Sequence, residues 1–284
     1  MLRTRLLVGT ILVALTAGML FLDAPPWFPF LFVVVELLAL LGTRELTSLF
    51  AGKAAPLSVL CLVGVCLVVA ANWFPTVART ASMGEALSTV DGWICVVHVF
   101  AAVVLGLFLV EMHAFTGPGK AVERLALSIF AVTYLGLLPS FLVRLQFDRK
   151  DALGSVALAL AIFAPKGCDI GAYFTGRFLG RHRMTPVLSP KKTWEGAVGG
   201  LVFAVLVAFG LNQLGPVIPW GVLGVVLFGL SVGIAGMLGD LAESLIKRDC
   251  QQKDASQVVP GFGGVLDVVD AIIFAAPVCY WWLR

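Results

Sequence analysis

The residues best suited to chemistry are concentrated near the C-terminus. Asp240, Ser244 and Lys247 are spaced by four and three residues, so they share one face of a predicted helix. Asp267 and Asp270 share a face in the same way. Two carboxylates brought together repel each other unless a proton or a cation lies between them, and Mg²⁺ prefers one or two carboxylates together with phosphate oxygens. This pattern favours a hard metal ion that binds phosphate groups.

A basic segment supplies the complementary charges. Ser189-Pro190-Lys191-Lys192-Thr193 offers two hydroxyls and two ammonium groups directly before a predicted helix N-terminus, which is a favourable place for phosphate. A basic loop beside a membrane is also typical of a topology signal or of a contact with anionic lipid head groups. Together with the carboxylates, the segment suggests phosphoryl or nucleotidyl transfer at a membrane surface.

Two further ionisable residues, Lys166 and Asp169, lie within an apolar run that Pro165 and Gly167 interrupt. Each such group costs about 2.5–3.5 kcal/mol near mid-membrane, so unpaired exposure to lipid is unfavourable. They either form a structural ion pair or line a water-accessible cavity between helices, where broken helix is tolerated. The sequence leaves both interpretations open.

The composition places all of these groups in a membrane. Of the 284 residues, 60% are hydrophobic and 13% are charged, and the mean hydropathy is +0.99, which excludes a soluble domain of any size. We predict an all-α polytopic membrane protein with about nine transmembrane helices. The predicted spans are residues 6–22, 27–42, 56–74, 93–111, 122–145, 153–174, 194–214, 217–238 and 264–283.

The charge distribution predicts the orientation. With the N-terminus cytoplasmic and the C-terminus outside, 14 Lys and Arg residues fall on the cytoplasmic side and five on the other, with Lys166 within a span. Both loops with candidate site residues, 175–193 and 240–263, then face the cytoplasm. The net charge of +3 is too small to argue for a nucleic acid partner, because membrane topology already explains the basic residues.

Small residues and cysteines indicate how the helices pack. Glycines recur every three to five residues in the spans at 194–214 and 217–238, which predicts close packing of helix backbones. The six cysteines form no CxxC pair and are expected to be reduced packing residues. We expect one integral membrane domain. Residues 1–150 would serve as scaffold, lipid entrance or dimer contact, and residues 151–284 as the catalytic region.

The C-terminal residues resemble the phosphatidate cytidylyltransferases, also called CDP-diacylglycerol synthases. The signature of that family has the form S-x-x-K-R-x4-K-D-x5-P-G-H-G-G-x-x-D-R-x-D, preceded by G-D-x-x-E. The positions that match in order and spacing are Gly239, Asp240, Glu243, Ser244, Lys247, Arg248, Lys253, Asp254, Pro260, Gly261, Gly263, Gly264, Asp267 and Asp270. Segments 169–173 and 189–196 resemble two further family motifs. The resemblance covers about residues 160–284, whereas the first 150 residues share only a series of spans.

The resemblance implies an activity. CTP and phosphatidate would be converted to CDP-diacylglycerol and pyrophosphate for phospholipid biosynthesis, with Mg²⁺ and with a second, monovalent cation left open. The enzyme would be a homodimer in a bacterial-type cytoplasmic membrane, with its active site facing the cytoplasm.

The resemblance also implies roles for individual residues. Asp240 and Asp267 would hold the metal ion, and Lys247, Arg248 and Ser244 would complete the catalytic set. The residues expected to contact the substrates or line their site are Ser189, Lys191, Lys192, Thr193, Asp169, Lys253, Asp254 and Asp270.

Two departures from the family pattern keep other functions open. Phe262 stands where the family has His, and Val268 stands where it has Arg, so a hydrogen-bond donor and a permanent cation are lost. Lys166 could partly replace the lost charge. A catalytically silent homologue that binds phospholipid is one alternative, and a cation-coupled or proton-coupled transporter is another. A CDP-alcohol phosphotransferase is excluded, because its D-G-x-x-A-R…G-x-x-x-D-x-x-x-D pattern is absent.

Overall fold

A computed structural model of the chain describes residues 10, 13–20, 22–84, 89–149, 153–256, 259 and 263–284. Helices form most of this part, and residues 13–20 are helical as well. The long helices are α1 (Pro29–Leu49), α2 (Ser58–Thr80), α3 (Gly92–His113), α4 (Ala121–Asp148), α5 (Gly154–Leu179), α6 (Trp194–Asn212), α7 (Gly221–Asp249) and α8 (Leu266–Leu283). Strands β1 (Arg183–Thr185) and β2 (Ser189–Thr193) form an antiparallel hairpin between α5 and α6.

Seven of the described helices, α2 to α8, are long and apolar enough to cross a membrane. The chain is therefore an all-α polytopic membrane protein, as predicted, and these helices coincide with seven of the nine predicted spans. The predicted span at 27–42 overlaps α1. This helix is not among the seven, because it carries three charged residues, Glu36, Arg44 and Glu45. The predicted span at 6–22 lies only partly within the described residues, of which 13–20 are helical. The count of nine and the orientation stay predictions.

The chain forms two compact units, and the first comprises Met1–Arg144 with Ala255–Leu266. Within it, α2 packs against α1, α3 and α4. The carboxylate of Glu45, which is 5% exposed, lies in this unit. It accepts hydrogen bonds from the Ser256 hydroxyl at 2.6 Å and from the backbone N–H groups of Val265 and Leu266 at 2.9 Å. These donors satisfy a charge that would otherwise be costly inside an apolar unit.

The second unit comprises Leu145–Asp254 with Asp267–Arg284, and glycines set its helix packing. A Cβ on Gly171 would lie 2.5 Å from the Phe203 side chain, and one on Gly196 would lie 2.9 Å from the Ala172 carbonyl, so α5 and α6 are in close contact. A Cβ on Gly236 of α7 would likewise lie 2.9 Å from the Pro165 Cβ of α5. The predicted close packing of these glycine-rich spans is confirmed for this unit. All six cysteines of the chain are free thiols.

Gly239 lies at the closest approach of α7 and α8. A Cβ at this position would lie 2.6 Å from the Asp270 carbonyl oxygen and 2.8 Å from the Phe274 Cβ, which is too short for a real contact. Because one of these atoms belongs to the backbone, only a shift of the helices could relieve the clash. Gly239 therefore permits the spacing of α7 and α8.

The first prediction tests this spacing. Gly239→Ala should destabilise the protein by about 1–3 kcal/mol, because overpacking forces the backbones apart. The matched control is Gly210→Ala on α6, where an added Cβ meets nothing within 4 Å and alanine is the better helix former. The free energy of unfolding of both variants is measured with purified protein in detergent. Equal stability of Gly239→Ala and wild type would contradict the assignment.

Candidate active site

Three carboxylates of the second unit converge on one point. Ligand oxygens of Asp240, Glu243 and Asp270 all lie within 4.8 Å of one another, and we call these three residues the acidic group. Asp240 and Glu243 lie one turn apart on α7, and Asp270 comes from α8. The absence of a side chain at Gly239 lets α8 approach closely enough for Asp270 to join them.

Two lysines flank the acidic group. Lys192 Nζ lies 2.7 Å from Asp240 Oδ2. Lys247 Nζ lies 2.7 Å from Glu243 Oε2 and 2.5 Å from Asp267 Oδ1. Lys247 is 8% exposed and Glu243 is 2% exposed, so this pair is shielded from solvent. Away from water an ion pair is stronger, but every charge in it needs a partner to offset its loss of hydration.

Lys166 of α5 joins the same network. Its Nζ lies 3.1 Å from Asp169 Oδ2 and 3.2 Å from Asp270 Oδ1. The ion pair between Lys166 and Asp169, one of the two interpretations that the sequence left open, is thus present, and Asp270 is a partner that the sequence did not indicate. We call the eight residues linked in this way the ion cluster: Asp169, Asp240, Glu243, Asp267, Asp270, Lys166, Lys192 and Lys247.

The ion cluster suits a divalent cation. Five carboxylates against three ammonium groups leave a formal charge of −2, the amount that one divalent ion neutralises. Glu243 Oε1 is buried and has no hydrogen-bond partner among the described residues. Because an unsatisfied buried carboxylate oxygen is costly, a cation is its natural partner. The donors are all oxygens, which suits a hard ion such as Mg²⁺ or Ca²⁺.

The β-hairpin brings Lys192 to the cluster. Strand β2 ends at Thr193, whose hydroxyl oxygen caps α6 by accepting the Gly196 N–H at 3.1 Å. Glu195 in the first turn of α6 accepts the Arg181 N–H at 3.1 Å and contacts His182 Nδ1 at 2.5 Å. These contacts tie both ends of the hairpin to the start of α6, so the ammonium of Lys192 reaches Asp240.

Other residues predicted for the site form no ion pair with the ion cluster within the part of the chain that the structure describes. Lys191, Arg248, Lys253 and Asp254 are exposed, Ser189 is half-buried, and Ser244 is buried on α7 one turn after Asp240. Arg248 donates to the carbonyl oxygens of Leu188, at 3.5 Å, and Gln252, at 3.1 Å. Val268 is half-buried on α8, whereas Phe262 lies outside the described residues.

The acidic group differs from the predicted metal pair. The sequence paired Asp240 with Asp267, but the Asp267 carboxylate is bound to Lys247, and Glu243 and Asp270 stand beside Asp240 instead. The signal for Glu243 was available, because it follows Asp240 by three residues on the same helix face. The role of Asp267 as a metal ligand stays a prediction.

Comparison with known proteins is consistent with this chemistry. The model of the cytidylyltransferase family matches residues 3–284. A phosphatidate cytidylyltransferase of Haemophilus influenzae is 30% identical over 290 residues, covering 98% of this chain and 96% of that protein. Phosphatidate cytidylyltransferases of Synechocystis and Brucella suis are 34% identical over 190 residues and 46% identical over 147 residues. Those alignments cover 57% and 52% of this chain and 63% and 53% of the relatives.

Proposed function

Because the chain belongs to the cytidylyltransferase family, we propose that it is a membrane nucleotidyltransferase that converts CTP and phosphatidate to CDP-diacylglycerol and pyrophosphate in phospholipid biosynthesis. The observation that carries the proposal is the ion cluster, where three carboxylates meet within 4.8 Å and Lys192 and Lys247 flank them. Such a set of charges suits a cation and phosphate groups together. The names of the relatives supply the substrate class.

In the proposed reaction, a phosphate oxygen of phosphatidate attacks the α-phosphorus of CTP. The new oxygen–phosphorus bond forms as the bond from the α-phosphorus to the bridging oxygen breaks, and pyrophosphate leaves with that electron pair. The protein mainly has to align two anions and neutralise charge. We assign this neutralisation to Lys192 and Lys247, whose ammonium groups lie next to the acidic group.

We assign a divalent cation, with Mg²⁺ as the expected ion, to Asp240, Glu243 and Asp270. When bound, it would withdraw negative charge from the phosphate oxygens. Asp267 is retained as a further candidate ligand, which Lys247 holds by an ion pair.

The other predicted substrate contacts are part of the proposal. Exposed basic residues near the hairpin and at the end of α7 would bind the triphosphate or the lipid phosphate, and hydroxyl groups would donate hydrogen bonds to the same oxygens. The residues are Lys191, Arg248 and Lys253 for charge, Ser189, Thr193 and Ser244 for hydrogen bonds, and Asp169 and Asp254 for lining the site. Thr193 can cap α6 and bind phosphate at the same time, since its hydroxyl oxygen accepts the Gly196 N–H while its O–H remains a donor.

An assay of product formation tests the reaction. Purified protein in detergent–lipid micelles with phosphatidate, labelled CTP and Mg²⁺ should form CDP-diacylglycerol and pyrophosphate. Asp240→Asn should lower the rate at least about a hundredfold, since even outer-shell changes at metal sites cost 10–100-fold. The control is Asp249→Asn, the same change at an exposed position of α7, which should stay within about twofold.

The alternatives predict other results in this assay. Phosphatidate binding without any product would favour the silent homologue, and Val268→Arg with Phe262→His would then be the rescue to try. Ion-driven transport in vesicles without CTP turnover would favour the transporter.

Metal binding separates the candidate ligands. Mn²⁺ binding, followed by electron paramagnetic resonance in the absence of CTP, should weaken about tenfold or more in Asp240→Asn and Glu243→Gln. Asp267→Asn should have a smaller effect, because Asp267 lies outside the acidic group. A larger loss for Asp267→Asn than for Glu243→Gln would instead support the metal pair predicted from the sequence.

We further propose a bacterial-type cytoplasmic membrane, a cytoplasmic N-terminus and active site, and a homodimer with residues 1–150 as scaffold, lipid entrance or dimer contact.

In a cysteine-free variant, Lys253→Cys should react with an impermeant maleimide only in inside-out vesicles, and Pro216→Cys only in right-side-out vesicles. The opposite pattern would reverse the topology. A monomeric mass in nanodiscs would exclude the dimer.

A further inference from the structure

Lys166 occupies an unusual position for a lysine. It lies near the middle of α5, directly after Pro165, in a helix that is long and apolar enough to span a membrane. Its ammonium lies 3.1 Å from Asp169 on the same helix and 3.2 Å from Asp270 on α8. Two carboxylates held this close to one point repel each other unless a cation lies between them. The Lys166 ammonium fills that place.

Asp270 connects Lys166 with the acidic group. Its Oδ1 accepts hydrogen bonds from Lys166 Nζ at 3.2 Å and from the Ala271 N–H at 2.6 Å. Its Oδ2 accepts no hydrogen bond from the residues that the structure describes, and the side chain is 8% exposed. Asp270 therefore has one oxygen engaged by Lys166 while it also belongs to the acidic group.

We propose that Lys166 is a positioning residue that acts as a tethered monovalent cation. Its ammonium bridges Asp169 and Asp270 and fixes Asp270 within the acidic group, so that the site takes a divalent cation but needs no monovalent metal ion. The divalent cation in this statement rests on the proposed function, whereas the bridge does not.

The charges of the ion cluster give the consequence of removing Lys166. With three ammonium groups the formal charge is −2, and with two it is −3, which corresponds to one divalent and one monovalent cation. A variant without the Lys166 charge should therefore bind a small monovalent cation between Asp169 and Asp270. Ammonium is the closest substitute, because it has the charge and the N–H donors of the lost side chain.

The experiment compares Lys166→Met with wild type in the full-length protein. The melting temperature in detergent is measured in choline chloride, KCl and NH₄Cl at equal ionic strength, with EDTA present. Lys166→Met should melt at least about 4 °C lower than wild type in choline and recover at least about half of that loss in NH₄Cl or KCl. For wild type, for Lys166→Arg and for the exposed control Lys120→Met, the melting temperature of each protein should be the same in all three salts.

The salt response distinguishes the proposal from a purely structural ion pair. If the ion pair only holds helices together, Lys166→Met loses the same stability in every salt, and that result would overturn the proposal. A wild-type response as large as that of the variant would also overturn it, because the cation would then bind elsewhere.

A second variant covers the case in which Lys166→Met does not fold. Lys166→Met combined with Asp169→Asn restores the formal charge of −2, so it should fold and show no dependence on the monovalent cation. A double variant that is as unstable as the single one would argue against a role through charge.

CDP-diacylglycerol formation, measured in the same samples with Mg²⁺, keeps the two proposals apart. Lys166→Met should be active in NH₄Cl or KCl and at least about tenfold slower in choline, whereas wild type should not respond. An inactive wild type would refute the proposed function and leave the melting result to decide the role of Lys166.

Discussion

The second unit depends on keeping charge in balance inside an apolar environment. Each carboxylate or ammonium withdrawn from water costs several kcal/mol, and only close partners repay that cost. The ion cluster meets this condition for most of its groups by direct ion pairs of 2.5–3.2 Å. It does not meet it for all of them, since Glu243 Oε1 is left without a hydrogen bond from the described residues. The incomplete balance is what makes the cluster a candidate for binding a cation.

The helix packing follows from this requirement. Ion pairs of this length need the backbones of α5, α7 and α8 to lie close together, and side chains at the contact points would prevent it. Gly236 faces Pro165, and Gly239 faces the backbone at Asp270. In a membrane, close contact of this kind also supplies much of the association between helices, since lipid offers no hydrophobic driving force. The same glycines therefore serve both the packing and the charge cluster.

Much of this arrangement could be predicted from the sequence, for physical reasons. Long apolar runs admit few structures other than membrane helices, and helical spacing places Asp240, Ser244 and Lys247 on one face. The β-hairpin was not predicted, because β2 contains Pro190 and its pairing with β1 depends on contacts with Thr193 and Glu195. Local periodicity carries no information about such contacts.

The contact between Lys166 and Asp270 was missed for the same reason. Asp270 is 104 residues from Lys166, so only the packing of α8 against α5 and α7 brings the two charges together. Glu243 is a different case, because its spacing from Asp240 was visible in the sequence, although the predicted metal pair was Asp240 and Asp267. Spacing within a helix can thus identify groups on one face, whereas the pairing of charges between helices depends on the tertiary structure.

The balance of charge also bears on how anionic substrates can enter. CTP and phosphatidate are both negatively charged, so a cluster of charge −2 would repel them at short range. A bound divalent cation would remove this repulsion, and Lys192 and Lys247 could then exchange carboxylate partners for phosphate oxygens. Lys191 and Arg248, which are exposed outside the cluster, then provide the net positive charge that attracts the triphosphate. The cation would then be expected to bind before or together with CTP, because Lys192 and Lys247 are otherwise occupied by carboxylates of the cluster.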